Sequence, residues 1–136
     1  MRTLIVEDDF TSRLLLQKLL APYGEAHIAV NGREAVQACS LARASGQPYD
    51  LICLDIMMPE MDGHSALKEI HAQEEAAGIA REKRARVVMM TASATEQSVL
   101  AAWREKCDGY MVKPIAKAKL IEHLNRFGLI SDPKGS

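Results

Sequence analysis

Short apolar runs alternate along the chain with longer segments in which apolar residues recur every three or four positions. The apolar runs predict five β-strands, at residues 3–6, 26–30, 51–54, 87–90 and 110–112. The segments of helical period predict five α-helices, at residues 11–20, 33–44, 65–77, 96–106 and 116–127. The first, third and fourth runs are almost continuously apolar, which is typical of strands covered by helices on both faces of a parallel sheet.

Strands that alternate with helices predict an α/β fold with a doubly wound, five-stranded parallel sheet and five helices. The 136 residues, 48% hydrophobic and 26% charged, fit one domain. We expect this domain to span residues 1–128, and residues 129–136 to form a flexible C-terminal tail. In open sheets of this kind ligands bind outside the carboxyl ends of the strands, so we expect the chemistry at that edge.

Charge and cysteine content exclude several classes of protein. The 17 basic and 18 acidic residues leave a net charge of −1, so no overall field attracts nucleic acid or an anionic membrane. The three cysteines form no CxxC pair, which argues against a disulfide framework or a thiolate zinc site. No apolar run approaches the roughly 18 residues of a membrane span. We therefore expect a cytoplasmic protein that contacts neither nucleic acid directly nor a membrane.

Polar side chains follow four of the five predicted strands. Glu7 and Asp8 follow the first strand, Asp55 the third, Thr91 the fourth and Lys113 the fifth. Because the carboxyl ends of parallel strands meet at one edge, these groups are expected to converge there. Two carboxylates about 4 Å apart repel by about 4 kcal/mol at an effective dielectric constant of 20. An all-oxygen cluster of this kind predicts a Mg²⁺ site, with Mn²⁺ as an alternative.

The same groups suggest phosphoryl-transfer chemistry. A carboxylate at Asp55 is a candidate nucleophile towards phosphorus, and the Lys113 ammonium and Mg²⁺ would offset charge on the phosphoryl oxygens. A single Asp or Lys-Pro after a strand is usually a cap or turn, so the prediction depends on the joint placement. We expect Asp9 to cap the first helix rather than bind metal. The charged segment 74–86 is interpreted as a solvated face.

Four short segments carry a resemblance to a known family. They are Leu-Ile-Val-Glu-Asp-Asp at residues 4–9, Leu-Asp-Ile-Met-Met-Pro-Glu-Met-Asp-Gly at 54–63, Met-Thr-Ala at 90–92 and Lys-Pro at 113–114. With these segments in this order, the chain resembles the receiver domain of two-component response regulators over residues 3–127. The resemblance implies a flavodoxin-like fold with strand order 2-1-3-4-5.

The resemblance also implies roles for individual residues. Asp55 would be the phosphoacceptor, Asp8 a direct Mg²⁺ ligand, and Glu7 the acid that holds a metal-bound water. The backbone carbonyl of Met57 would be a further ligand. Asp8 with Asp9 is an alternative acidic pair, but the end of the first apolar run favours Glu7 with Asp8.

Three further residues match the switching groups of the family. Thr91 resembles the switch hydroxyl, Lys113 the phosphate-binding cation, and Tyr110 the aromatic residue coupled to the hydroxyl. The Lys-Pro peptide is commonly cis in the family. The implied donor is a phosphohistidine on a sensor histidine kinase or a histidine phosphotransfer protein. Phosphorylation would change a surface of the fourth helix, fifth strand and fifth helix, and so the affinity for an unknown downstream protein.

Other functions fit the sequence less well. A phosphohydrolase of the haloacid-dehalogenase type needs a second Asp two residues after the nucleophile, where this chain has Met57. A Rossmann oxidoreductase needs a GxGxxG that is missing after the first strand. A binding module with a vestigial site, a phosphorelay intermediate and an excised receiver of a hybrid kinase remain alternatives. We expect a signalling domain that assists only its own phosphorylation and dephosphorylation, rather than an enzyme.

Overall fold

Five parallel strands form the centre of the molecule in a computed structural model, which describes residues 1–56, 58, 62–92 and 107–131. The strands are β1 (Arg2–Val6), β2 (Glu25–Ala29), β3 (Leu51–Asp55), β4 (Arg86–Thr91) and β5 (Gly109–Val112). They lie side by side in the order β2-β1-β3-β4-β5, and each neighbouring pair is parallel. The predicted fold class and strand order are confirmed.

Four α-helices connect or follow the strands within the described ranges. They are α1 (Phe10–Leu20), α2 (Gly32–Ala44), α3 (Gly63–Ala76) and α4 (Lys117–Arg126). Each begins and ends within two residues of its predicted bounds, while the predicted helix at 96–106 lies outside the described residues. In the part of the chain that the structure describes, no helix has the length and apolar content needed to cross a bilayer.

Side-chain caps fix the starts of three helices. The Asp9 carboxylate accepts a hydrogen bond from the backbone N–H of Ser12 at 2.9 Å, which confirms the predicted cap of α1. Asn31 caps α2 and Asp62 caps α3 in the same way, each accepting at 2.8 Å. These caps satisfy N–H groups that have no partner within the helix, so each helix begins directly after the loop that leaves its strand.

The hydrophobic core has two layers, one on each face of the sheet. Leu4 and Val6 of β1 belong to a buried cluster with residues of α2 and α3. Ile5, between them, belongs to a second cluster with residues of α1 and α4. Successive side chains of a strand point to opposite faces, so both faces of β1 are buried. This two-sided burial explains the continuously apolar runs and leaves the polar chemistry to the strand ends.

The charged segment 74–86 begins in the last turn of α3, and one of its residues is not solvated as predicted. The helix ends at Ala76, and the backbone turns at Gly78, whose φ of +68° favours glycine because glycine has no Cβ. A short 3₁₀ turn follows at Arg81–Lys83. Glu74 is only 3% exposed. The interpretation of this segment as a solvated face is therefore wrong for Glu74.

Candidate functional site

The carboxyl ends of β1 and β3 bring three carboxylates together. These strands are neighbours, with Val6 opposite Leu54, so Glu7 and Asp55 lie side by side at the same edge. One oxygen from each of Glu7, Asp8 and Asp55 lies within 4.8 Å of the others. Glu7 and Asp55 are buried, and Asp8 is exposed. The cluster is therefore anchored in the core on one side and open to solvent on the other.

Backbone contacts fix the first acidic pair. The N–H of Glu7 donates to the carbonyl of Ala29 at 3.0 Å, which continues the pairing of β1 with β2. The Arg13 guanidinium donates to the backbone carbonyls of Glu7 at 3.3 Å and Asp8 at 3.0 Å. Asp9 turns away to cap α1. The structure therefore brings Glu7 with Asp8, rather than Asp8 with Asp9, to Asp55.

A lysine from the end of β5 enters the same cluster. The Lys113 Nζ lies 3.1 Å from Asp55 Oδ2 and forms an ion pair with Glu7 Oε1. The backbone N–H of Lys113 donates to the carbonyl of Thr91 at 2.8 Å, which holds the end of β5 against the end of β4. The Lys113–Pro114 peptide bond is cis, as the resemblance implies. Residues from three strands thus meet at one point.

The surroundings of the cluster raise the pKa of both Glu7 and Lys113. Burial raises the pKa of Glu7, the neighbouring Asp55 raises it further, and Lys113 lowers it by less. Burial lowers the pKa of Lys113, but hydrogen bonding to Glu7 and the charge of Asp55 outweigh burial and raise the pKa overall. When all four groups are ionised, three carboxylates and one ammonium carry a formal charge of 1 − 3 = −2. That charge matches a divalent cation.

Gly63 allows the start of α3 to pack directly on the end of β3. Its N–H donates to the carbonyl of Ile56 at 3.0 Å, and the Ile56 N–H donates to the carbonyl of Met90 at 3.1 Å. A Cβ added at Gly63 would lie 2.3 Å from the backbone oxygen of Asp55. The sequence analysis identified the Met-Asp-Gly segment but did not predict that its glycine allows this close packing. The signal for it is a glycine at the start of a helix that follows a strand ending in an acidic residue.

The predicted switch residues lie on the last two strands. Thr91 is buried at the end of β4, opposite Val112 of β5. Tyr110 is half-buried on β5, opposite Met89, and packs against the cluster on the α2 and α3 face. Both residues therefore belong to the strands nearest Lys113. Met57, the predicted carbonyl ligand, lies outside the described residues.

Comparison with protein families agrees with this fold. Residues 3–125 match the family model described as response regulator receiver domain. The chain therefore belongs to the response regulator receiver domain family, whose members are signalling domains rather than conventional enzymes.

Two curated relatives differ greatly in length. The chemotaxis protein CheY of Thermotoga maritima is 31% identical over 127 residues, covering 92% of this chain and 95% of CheY. The hybrid signal transduction histidine kinase G of Dictyostelium discoideum is 36% identical over 134 residues, covering 96% of this chain but 4% of the kinase. The chain thus spans nearly all of one relative and a small part of the other.

Solved structures of receiver domains share the fold. The receiver domain of sensor histidine kinase PA1611 from Pseudomonas aeruginosa, which has a magnesium ion coordinated in its active site cleft, is 28% identical with a TM-score of 0.73. That alignment covers 93% of this chain and 95% of the other. The receiver domain of Ssk1 from Saccharomyces cerevisiae, in complex with the histidine phosphotransfer protein Ypd1, is also similar. There the identity is 25%, the TM-score 0.78, and the coverage 99% of this chain and 95% of the other.

Proposed function

We propose that this chain accepts a phosphoryl group on Asp55 and thereby switches a protein-interaction surface. The observation that carries the proposal is the meeting of Glu7, Asp8 and Asp55 within 4.8 Å, with the Lys113 ammonium 3.1 Å from Asp55. A nucleophilic carboxylate beside a fixed cation and a metal-binding carboxylate pair is the arrangement that phosphoryl transfer needs. Membership of the receiver family supports the same assignment.

The donor set suits Mg²⁺. All three side chains offer carboxylate oxygens, which Mg²⁺ prefers, and the exposed Asp8 leaves room for the waters that Mg²⁺ retains. We assign Asp8 and Asp55 as direct ligands, Glu7 as the acid that holds a metal-bound water, and the carbonyl of Met57 as a further ligand. The ion would neutralise charge on the phosphoryl oxygens when bound. The magnesium site of the related receiver of PA1611 supports this assignment.

The transfer step uses one oxygen of Asp55 as the nucleophile. This oxygen forms the new O–P bond while the N–P bond of a phosphohistidine breaks, and the imidazole nitrogen leaves with the bonding electron pair. Lys113 already touches Asp55, so its ammonium is placed to pair with an oxygen of the incoming phosphoryl group. Thr91, at the end of the adjacent strand, is assigned to donate its hydroxyl to another oxygen.

The donor and the response follow from the same chemistry. A sensor histidine kinase or a histidine phosphotransfer protein would supply the phosphohistidine, and the phosphotransfer protein bound to the Ssk1 receiver is a related precedent. The phosphorylated side chain of Asp55 would place about two negative charges beside Lys113 and Thr91. Movement of Thr91 and Tyr110 would then alter the surface around β5 and α4, which an unknown downstream protein reads. The domain is assigned to residues 1–128.

Labelling with acetyl phosphate and Mg²⁺ tests the proposal. We expect the parent to gain one phosphoryl group per chain, measured by intact-protein mass spectrometry, and Asp55→Asn to gain none. Asp62→Asn is the matched control, because Asp62 is an exposed acid that caps α3, and asparagine caps equally well. Removal of Mg²⁺ with EDTA is expected to prevent labelling of the parent. Equal labelling of Asp55→Asn would refute the assignment of the acceptor.

The same assay separates the alternative functions. Rapid, repeated turnover of several phosphoesters would indicate a phosphohydrolase instead of a receiver. Failure of the parent to take up any phosphoryl group, from acetyl phosphate or from a phosphorylated histidine phosphotransfer protein, would indicate a vestigial site. A phosphorelay intermediate would pass the label back to the histidine of a phosphotransfer protein, so label transfer in both directions would favour that role.

A further inference from the structure

A second concave site lies between α2 and α3, away from the acidic cluster. It is a cleft of about 510 Å³, and its walls include Tyr49, Ile52 and Ile70. Ile52 lies three residues before Asp55 on β3, which is about 10 Å along a strand. The volume is in the range of sites that hold small organic molecules. The cleft is thus separate from the acidic cluster and large enough for a ligand.

One buried carboxyl group lies in this otherwise mainly apolar cleft. Glu74 of α3 lines the cleft and is 3% exposed. Its Oε2 accepts a hydrogen bond from the backbone N–H of Ala85 at 3.2 Å. Its Oε1 is buried and has no hydrogen-bond partner among the described residues. A buried acceptor without a donor is costly, so a ligand that supplies a donor gains more here than at an exposed carboxylate.

The charges around the cleft restrict the chemistry of that donor. Arg43 and Lys83 also line the cleft and are more exposed than Glu74. The Arg43 guanidinium is hydrogen-bonded to the side-chain oxygen of Gln73. Two cations disfavour an ammonium ligand, and the carboxyl of Glu74 disfavours a carboxylate ligand. A neutral hydroxyl avoids both repulsions, and it can donate to an ionised Glu74 or accept from a protonated one.

We propose that this cleft binds a small apolar molecule with one hydroxyl group, such as a phenol, whose hydroxyl forms a hydrogen bond with the carboxyl group of Glu74. The apolar body of the ligand would pack against Ile52 and Ile70. This inference does not rest on the phosphoacceptor role of Asp55, so either proposal can fail without the other.

Thymol and its methyl ether test the inference as a matched pair of probes. The two molecules have nearly the same apolar body, but only thymol has a hydroxyl donor. Binding to the full chain is followed by NMR shifts of backbone amides lining the cleft. We expect thymol to bind at least about tenfold more tightly than the ether, because a hydrogen bond to a carboxyl group is lost with the ether.

Variants separate the hydrogen bond from the cavity. Ala44 lines the cleft at the end of α2, so Ala44→Phe is expected to fill the cleft and abolish binding of both probes. Leu41→Phe is the control, because Leu41 is a 71% exposed position of the same helix, and it is expected to leave binding unchanged. Glu74→Met is expected to remove the preference for thymol. Equal affinity of the parent for both probes, no binding of thymol, or unchanged thymol binding by Ala44→Phe would each overturn the inference. The Ala44→Phe test stands even if Glu74→Met fails to fold.

Discussion

Replacement of Lys113 by methionine is expected to destabilise the metal-free protein more than the same replacement of an exposed lysine. The ammonium lies 3.1 Å from Asp55 Oδ2 and also pairs with Glu7, and its side chain is 18% exposed. At an effective dielectric constant of 20, one such contact is worth about 5 kcal/mol, from which the burial cost of the ammonium must be subtracted. Removal of one partner of a buried ion pair costs about 3 kcal/mol on balance.

The direction of this stability change follows from the charge that remains in the cluster. Lys113→Met changes the formal charge of the ionised cluster from −2 to −3. Burial already raises the pKa of Glu7, so this carboxylate can relieve part of the charge by taking up a proton. We therefore expect a loss of about 3 kcal/mol, and a fall of roughly 10 °C in Tm, when urea and thermal unfolding are measured in EDTA at neutral pH.

Mg²⁺ provides the second part of the measurement. A divalent ion and an ammonium repel each other in one carboxylate cluster, by about 2 kcal/mol even in bulk water. Lys113→Met should therefore bind Mg²⁺ at least about tenfold more tightly than the parent. Because a ligand stabilises the folded state according to its affinity, saturating Mg²⁺ should restore more stability to the variant than it adds to the parent.

Lys119→Met is the control for loss of a lysine. Lys119 pairs with Glu122 at 3.8 Å, and both side chains are 70% exposed, so this replacement should cost less than about 0.5 kcal/mol. If Lys113→Met and Lys119→Met lost equal stability in EDTA, Lys113 would not hold the cluster together. If Mg²⁺ stabilised the parent more than Lys113→Met, the charge argument would be wrong.

Three further replacements test other parts of the structure by urea unfolding. Gly63→Ala should cost about 3 kcal/mol, because its Cβ would lie 2.3 Å from the Asp55 carbonyl oxygen, and a cost below 1 kcal/mol would contradict the close packing. Asn31→Ala should cost about 1 kcal/mol through loss of the cap on the Glu34 N–H, whereas Asn31→Asp should cost little. Burial raises the pKa of Glu74 above its ordinary value of 4.5. The protonated carboxyl therefore contributes stability to the fold below pH 4.5, and this contribution is lost as the pH rises through the folded-state pKa. The free energy of unfolding of Glu74→Gln should therefore rise relative to that of the parent as the pH rises from 4 towards 7. A difference in free energy that does not change with pH would refute the raised pKa.

The acidic edge was predictable because its positions follow from the ends of apolar runs. Once β1 ends at Val6 and β3 at Asp55, parallel pairing places Glu7 beside Asp55 if the two strands are neighbours, and the family resemblance implied that strand order. The simultaneous contact of Lys113 with two carboxylates was not predictable, because it depends on the side-chain path from β5 across β4 to β3. Apolar periodicity reports which face of an element is buried, but it does not report the distances between polar groups.

The burial of Glu74 had a signal in the sequence that its charge obscured. Glu74 follows Leu67 and Ile70 at spacings of three and four residues, so it continues the buried stripe of α3. The fold accommodates this carboxyl without a lysine, through the N–H of Ala85, whereas Glu7 has the ammonium of Lys113. Burial raises the pKa of both groups. Because only Glu7 belongs to the cation-binding cluster, Mg²⁺ should change its titration and leave that of Glu74 unaltered.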